Sequence, residues 1–137
     1  LHPNTQARLT VENDDRANLF STKDLYDYVH KVIGIPIVFD YHHHIFNTGG
    51  LSEKEALVLA MSTWPDNIIP VVHYSESKNI HLGQDVPTPA HSDVVYGPIK
   101  LYGNIIDIMV EAKHKEKALL TLEVIEQDVG GGEIDEL

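Results

Sequence analysis

Short apolar segments rich in Val and Ile recur at 8–13, 35–41, 68–73 and 105–110, each compact and β-branched enough to read as a buried strand. The stretches between them follow a different period. Leu25, Tyr28, Val29, Val32 and Ile33 share one face of a 3.6-residue repeat, with Ser21 or Thr22 at the N-cap position and Gly34 at the stop. Ser52 and Glu55 make a capping box that opens a second helix over 56–63, closed by Pro65. A third helix is expected over 93–101, interrupted by Gly97 and Pro98, and a fourth over 114–127. Four strand-and-helix units in succession imply a parallel sheet with helical crossovers.

Two architectures satisfy that order. One is an open four-stranded α/β sheet; the other is half of a TIM (β/α)8 barrel, because a complete barrel takes about 250 residues and this chain has 137. With 42% hydrophobic residues the chain has the composition of one globular domain. No apolar run approaches the roughly 20 residues that cross a bilayer, no leader pattern opens the chain, and a first residue of Leu1 instead of Met suggests a piece of a longer protein. The absence of cysteine removes disulfides, thiolate metal sites and thiol nucleophiles, so any metal would be held by His, Asp and Glu; a cytosolic setting is expected. Ten basic against 21 acidic residues give a net charge of -11, which by itself argues against a basic groove for nucleic acid. Part of that excess sits in six acids from Glu123 onward, around Gly130 to Gly132, so 1–128 is read as the domain and 129–137 as a flexible acidic tail.

The polar residues at the strand ends sharpen the picture. Each apolar segment runs into an ionisable side chain at its C-terminal end, namely Glu12, Asp40, His73 and Glu111, spaced 28, 33 and 38 residues apart. In a barrel this register brings all four to the C-terminal mouth, where active sites of that architecture lie. Converging carboxylates and imidazoles need a cation between them, so a divalent metal is the natural occupant. Each residue also has a plainer reading: Glu12 with Asn13, Asp14 and Asp15 as a turn, Asp40 as a helix cap, His73 as a satisfied histidine beside the core, and Glu111 as the first solvated residue after a strand. The internal run His42, His43 and His44, which follows Asp40 and Tyr41 at a strand end, adds imidazole ligands suited to first-row metals. His91, after a loop containing Pro87 and Pro89, adds another candidate, unless it is only a loop residue before a helix starting at Asp93. His2, His30, His81 and His114 have no such context.

Taken in order, GluAsnAspAsp (Glu12 to Asp15), ValPheAspTyrHisHisHis (Val38 to His44), ValHisTyrSerGlu (Val72 to Glu76), HisSerAsp (His91 to Asp93) and GluAlaLysHisLysGlu (Glu111 to Glu116) resemble the C-terminal half of UV damage endonucleases. The resemblance covers about residues 8–120 and implies a TIM-barrel nuclease present here as its last four β/α units. It also implies a cluster of two or three divalent ions, typically manganese, and nicking of damaged double-stranded DNA 5′ of ultraviolet photoproducts in excision repair. Glu12 resembles a carboxylate bridging two ions, Asp40, His73 and Glu111 resemble ligands of one of them, and His43 and His91 resemble ligands of another. Glu12, Asp40 and Glu111 are accordingly the expected catalytic residues, supporting phosphodiester hydrolysis by metal-activated water with no side-chain nucleophile. The setting implied is the cytoplasm of a bacterium or archaeon, or a eukaryotic nucleus.

Two departures from the family pattern stand out. Members take further histidine ligands from the first half of the barrel, which this sequence lacks. Some carry a lysine, modified into a metal-contacting group, two positions before the equivalent of His73, where this chain has Val71. The rival readings are a metal-dependent sugar isomerase of similar barrel type and a non-catalytic half barrel, and the segment alone is expected to be inactive. Tyr41, Tyr74 and Tyr96 are either DNA contacts or packing residues. A lone half barrel would leave two strand edges and an apolar face uncovered, so an N-terminal half or a second copy is expected to close it.

Overall fold

The computed structural model describes residues 8–79, 87–92 and 95–111, with the backbone of Val124–Ile125. Strand β1 is Val11–Glu12. Helix α1 follows as Thr22–Leu25, continues through a π-helical stretch at Tyr26–His30 and finishes at Lys31–Ile33. β2 is Ile37–Asp40 and passes without a break into a short helix α2, Tyr41–Phe46. Helix α3, Glu53–Met61, precedes β3, Val71–Tyr74. The remaining strands are β4 (Ile99–Lys100), β5 (Asp107–Val110) and β6 (Val124–Ile125).

The expected parallel sheet is present. Its order is β1-β2-β3-β5, and every pairing is parallel. The register sets Val11 against Ile37, Phe39 against Val72, and Val72 against Ile108, so these residues share one face, since side chains alternate along a strand. That face packs with Leu25 of α1 and Ala56, Leu57 and Ala60 of α3 into a single core. Glu12, Val38, Asp40, Val71, His73, Asp107 and Met109 belong to the opposite register, and Met109 is 59% exposed there. The sheet is thus covered by helices on one side, with its ionisable residues at the C-terminal end of the other.

Local chemistry explains the boundaries. The Ser21 hydroxyl accepts from the Asp24 amide while the Asp24 carboxylate accepts from Ser21 N, and Ser52 with Glu55 repeats the arrangement. Gly34 ends α1 in the left-handed conformation, φ 74°. Gly49 has φ 63°, and a Cβ there would lie 2.5 Å from Ser21 Oγ, so the loop before α3 presses directly on the cap of α1. Gly49→Ala therefore combines strain with overpacking and is expected to cost about 2 kcal/mol, read as a lowered midpoint in urea denaturation.

Two expected helices need correction. The 93–101 segment is not helical in its described part: residues 95–98 are irregular and Ile99–Lys100 form β4. Gly97, at φ 79°, and Pro98 break the helical pattern, and Ile99 and Leu101 are buried from a non-helical backbone. Within 114–127, Val124–Ile125 form β6, paired in parallel with β4, so the expected helix does not reach its predicted end. The rest of that helix, the 129–137 tail, His2, His81, Asp93 and His114 lie outside the described residues. Among the described residues no helix is long and apolar enough to cross a membrane.

Candidate metal centre

The end of β1 and the end of β2 are locked together by Asn13. Its side-chain oxygen accepts from Asp40 N at 2.8 Å and its amide donates to Asp40 O at 3.1 Å, both fully buried. Glu12 and Asp40, which flank this clasp, are thereby held at a fixed separation. Asp40 then caps α2, with Oδ1 accepting from His43 N at 2.8 Å. The cap and the site are one structure, so the plain reading of Asp40 holds beside the functional one. One helical turn brings His43 back over the strand ends, where its Nδ1 donates to Asn13 O at 2.8 Å.

Ligand atoms of Glu12, Asp40 and His43 all lie within 4.8 Å of one another. His43 Nδ1 is 3.5 Å from Asp40 Oδ2 and 3.9 Å from Glu12 Oε2, and the same Glu12 oxygen is 2.8 Å from His73 Nδ1. Glu12, Asp40 and His43 therefore surround one small volume, and His73 from the next strand end joins it through Glu12. At metal–ligand distances near 2.1 Å, neighbouring ligand atoms on a first-row or magnesium-type ion stand about 3 Å apart, so one ion would draw these groups closer together, with His43 turning its lone pair toward the carboxylates.

Electrostatics supports the fit. Burial, followed by the hydrogen bond to Glu12, pushes the Asp40 carboxyl up to about 6, against the helix-cap bond and the His43 charge. Burial works to lower His43, but the Asn13 carbonyl and the charges of Asp40, Glu12 and Asp15 outweigh it and hold the imidazole above its ordinary value. A buried carboxyl raised beside a second carboxylate, with a histidine raised next to both, is an arrangement that a bound cation would relieve. His43 Nε2 has no hydrogen-bond partner among the described residues and is the nitrogen free to ligate while Nδ1 serves Asn13. Two carboxylates and two imidazoles also match the donor set that suits manganese, iron or zinc better than calcium.

The structure groups the remaining candidates differently from the sequence pattern. Glu111, 61% exposed at its side chain, stands 3.9 Å from His91 Nδ1 and shares a recess of about 290 Å³ with His73, Met109 and Val110. His43 lies with Glu12 and Asp40, whereas His91 lies with Glu111. His42 and His44 are not grouped with the cluster: both are buried, which lowers their pKa, and His44 packs against the Phe39 ring at 5.4 Å. Tyr41 is buried against Phe39 and Tyr74, so it packs.

A family model described as UV-endonuclease UvdE matches residues 1–134. The chain belongs to this family. Among its relatives it is 33% identical to the UV DNA damage endonuclease of Bacillus pumilus over 148 residues, covering 95% of this chain and 43% of that protein. It is 34% identical to the UV-damage endonuclease of Schizosaccharomyces pombe, across 89% of this chain and 21% of that one. The crystal structure of SacUVDE superposes with a TM-score of 0.68 at 31% identity, over 88% of this chain and 40% of that chain. This UvdE-family chain thus spans less than half the length of these relatives.

Two residues that shape the strand ends and their loops were not singled out in the sequence. Asn13 stood inside a turn-like AsnAspAsp run, and only the register of β1 against β2 reveals its clasp. Asn13→Ala removes both bonds to Asp40 and is expected to destabilise the UvdE-family chain by about 2–3 kcal/mol, measurable by urea denaturation; Asn13→Asp should recover less than half, because it lacks the donor. Glu76 is the second. Its carboxylate, nearly buried, accepts from Tyr96 N at 3.1 Å, Gly97 N at 2.8 Å and Tyr74 OH at 2.6 Å. Its only sequence signal was its place at the end of ValHisTyrSerGlu.

Proposed function

We propose that the chain is the metal-holding half of a UV damage endonuclease, built as the last four β/α units of a TIM barrel. It would hydrolyse a phosphodiester of damaged double-stranded DNA on the 5′ side of an ultraviolet photoproduct. The observation that carries this reading is the Glu12, Asp40 and His43 cluster, with His73 against Glu12, at the C-terminal end of parallel strands in a UvdE-family chain. Bound divalent ions, manganese being the best match to the donor set, would supply Lewis-acid activation of water and neutralise charge developing on the phosphoryl oxygens. Glu12 and Asp40 hold the charge that attracts such ions, His43 offers Nε2, and His73 orients Glu12. His91 and Glu111 would hold a second position at the rim. Val71 offers no donor on this face.

The uncovered face bearing Glu12, His73, Asp107 and Met109 is the side on which the rest of a barrel would close. Its proposed occupant is an N-terminal half or a second copy of this chain, which would add to the ions that this segment holds. Association is therefore expected: light scattering at high concentration should report a species larger than 15.4 kDa, and a strict monomer would leave an open four-stranded sheet as the architecture. The activity is tested on a longer protein that joins this segment to a barrel-completing half. Incised, UV-irradiated duplex should appear with Mn²⁺ and vanish with chelator, and Glu12→Gln should reduce nicking by about 100-fold or more with folding unchanged. Metal-independent nicking, or full activity in Glu12→Gln, would defeat this reading. Such an enzyme would work in a cytoplasm or a nucleus.

A further inference from the structure

The three consecutive histidines sit in three different surroundings, and only His43 stands beside the carboxylates of the cluster. His42 is fully buried. Its Nε2 donates to Pro89 O at 2.9 Å, a bond spanning 47 residues of chain, which leaves Nδ1 unprotonated, buried and without a partner. The ring stands edge-to-face on Phe46 at 5.3 Å and on His91 at 5.5 Å. The loop it grips is also held along Ser77: Lys78 N donates to Ala90 O at 2.8 Å, Ser92 N to Glu76 O at 2.7 Å and Thr88 N to Ser77 Oγ at 2.7 Å, with Ser77 and His91 paired as an antiparallel bridge. Those bonds fix the level of His91 along Ser77. They do not fix how far the loop leans toward α2, and His42 does, through both the carbonyl and the ring.

We propose that His42 is a positioning residue: by clamping the Pro89 carbonyl and backing the His91 ring, it holds His91 where its Nδ1 faces Glu111. The proposal rests on the reading of His91 as a rim ligand, and it divides the run by task. His43 ligates, His42 clamps, and His44 packs in the core. Partners that orient a ligand from behind affect metal affinity by about 10–100-fold when removed.

The test uses Mn²⁺ alone, titrated into the chain and into His42→Phe and His42→Gln. Phenylalanine keeps the ring contacts and discards the donor; glutamine replaces the donor at a similar reach. Expected results are at least about a 10-fold loss of affinity in the weaker class of sites for His42→Phe, a return to within threefold for His42→Gln, and an unchanged tight class in both. Unchanged weak binding in His42→Phe, or equal impairment in the two variants, overturns the proposal. Failure of the underlying reading looks different: His91→Ala would then leave Mn²⁺ binding untouched. In that event hydrogen exchange decides the clamp on its own. The Lys78 and Ser92 amides should exchange at least about 10-fold faster in His42→Phe and recover in His42→Gln; exchange equal to wild type would remove the clamp as well.

Discussion

Asp40→Asn is expected to make the metal-free protein more stable at neutral pH while abolishing Mn²⁺ binding at the strand-end cluster. The Asp40 carboxyl titrates near 6 in the folded chain against 3.8 for an unperturbed group, with burial as the main cause. Below about pH 4 the group is neutral in folded and unfolded chains alike and costs nothing. Between about pH 4 and pH 6 the unfolded chain is ionised while burial and Glu12 keep the folded group protonated, so stability is lost across that window, on the order of 2–3 kcal/mol, and levels off above it. Asparagine keeps the cap, since its oxygen still accepts from His43 N, and carries no charge to bury. Urea denaturation at pH 4.5 and 7.5 should show wild type falling more than Asp40→Asn between the two. Adding Mn²⁺ should restore wild type at pH 7.5 and leave the variant unmoved, because a cation binds only the ionised site. A variant less stable than wild type at pH 7.5 would mean that Asp40 is held as a structural ion-pair partner of His43.

Glu76→Ala should be the most damaging substitution outside the cluster. It leaves the Tyr96 and Gly97 amides and the Tyr74 hydroxyl without their shared acceptor, and losing charge-assisted bonds at a buried position costs about 3–5 kcal/mol in total. Glu76→Gln retains one carbonyl acceptor and should recover about half. Since Ser92 N bonds to Glu76 O and His91 pairs with Ser77, the loss also loosens the loop that carries His91. The expected readout is a lowered denaturation midpoint with a matching rise in amide exchange at Tyr96 and Gly97. Equal midpoints would show that solvent satisfies these donors.

The four strands of the main sheet, the Ser52–Glu55 capping box and the Gly34 stop were legible because each depends on residues adjacent in sequence, which periodicity and cap chemistry report directly. Ser52 and Glu55 need no knowledge of the rest of the chain. The strand-end residues were legible for the same reason, as the point where an apolar run meets an ionisable side chain. What escaped depends on pairings across the sheet. Nothing in AsnAspAsp distinguishes Asn13 as a clasp until β1 and β2 are in register. The helix expected over 93–101 failed because Ile99 and Leu101 satisfy an apolar spacing that a buried strand meets equally well, and the partner of that strand, β6, lies more than twenty residues on. The 41–46 helix was read only as a ligand run, since six residues carry too little period to register. Its turn is what sends His43 to Glu12 and Asp40 and His42 to Pro89. Sequence order alone could not make that division.

Glu12, Asp40 and His43 are proposed to hold a divalent ion together. Crystals of the chain grown or soaked with Mn²⁺, measured for anomalous scattering, test it most directly. The account predicts an anomalous peak about 2.2 Å from a carboxylate oxygen of both Glu12 and Asp40 and from a nitrogen of His43, lost in Glu12→Gln crystals. Density only at His91 and Glu111, or none at the strand ends at saturating Mn²⁺, would contradict it.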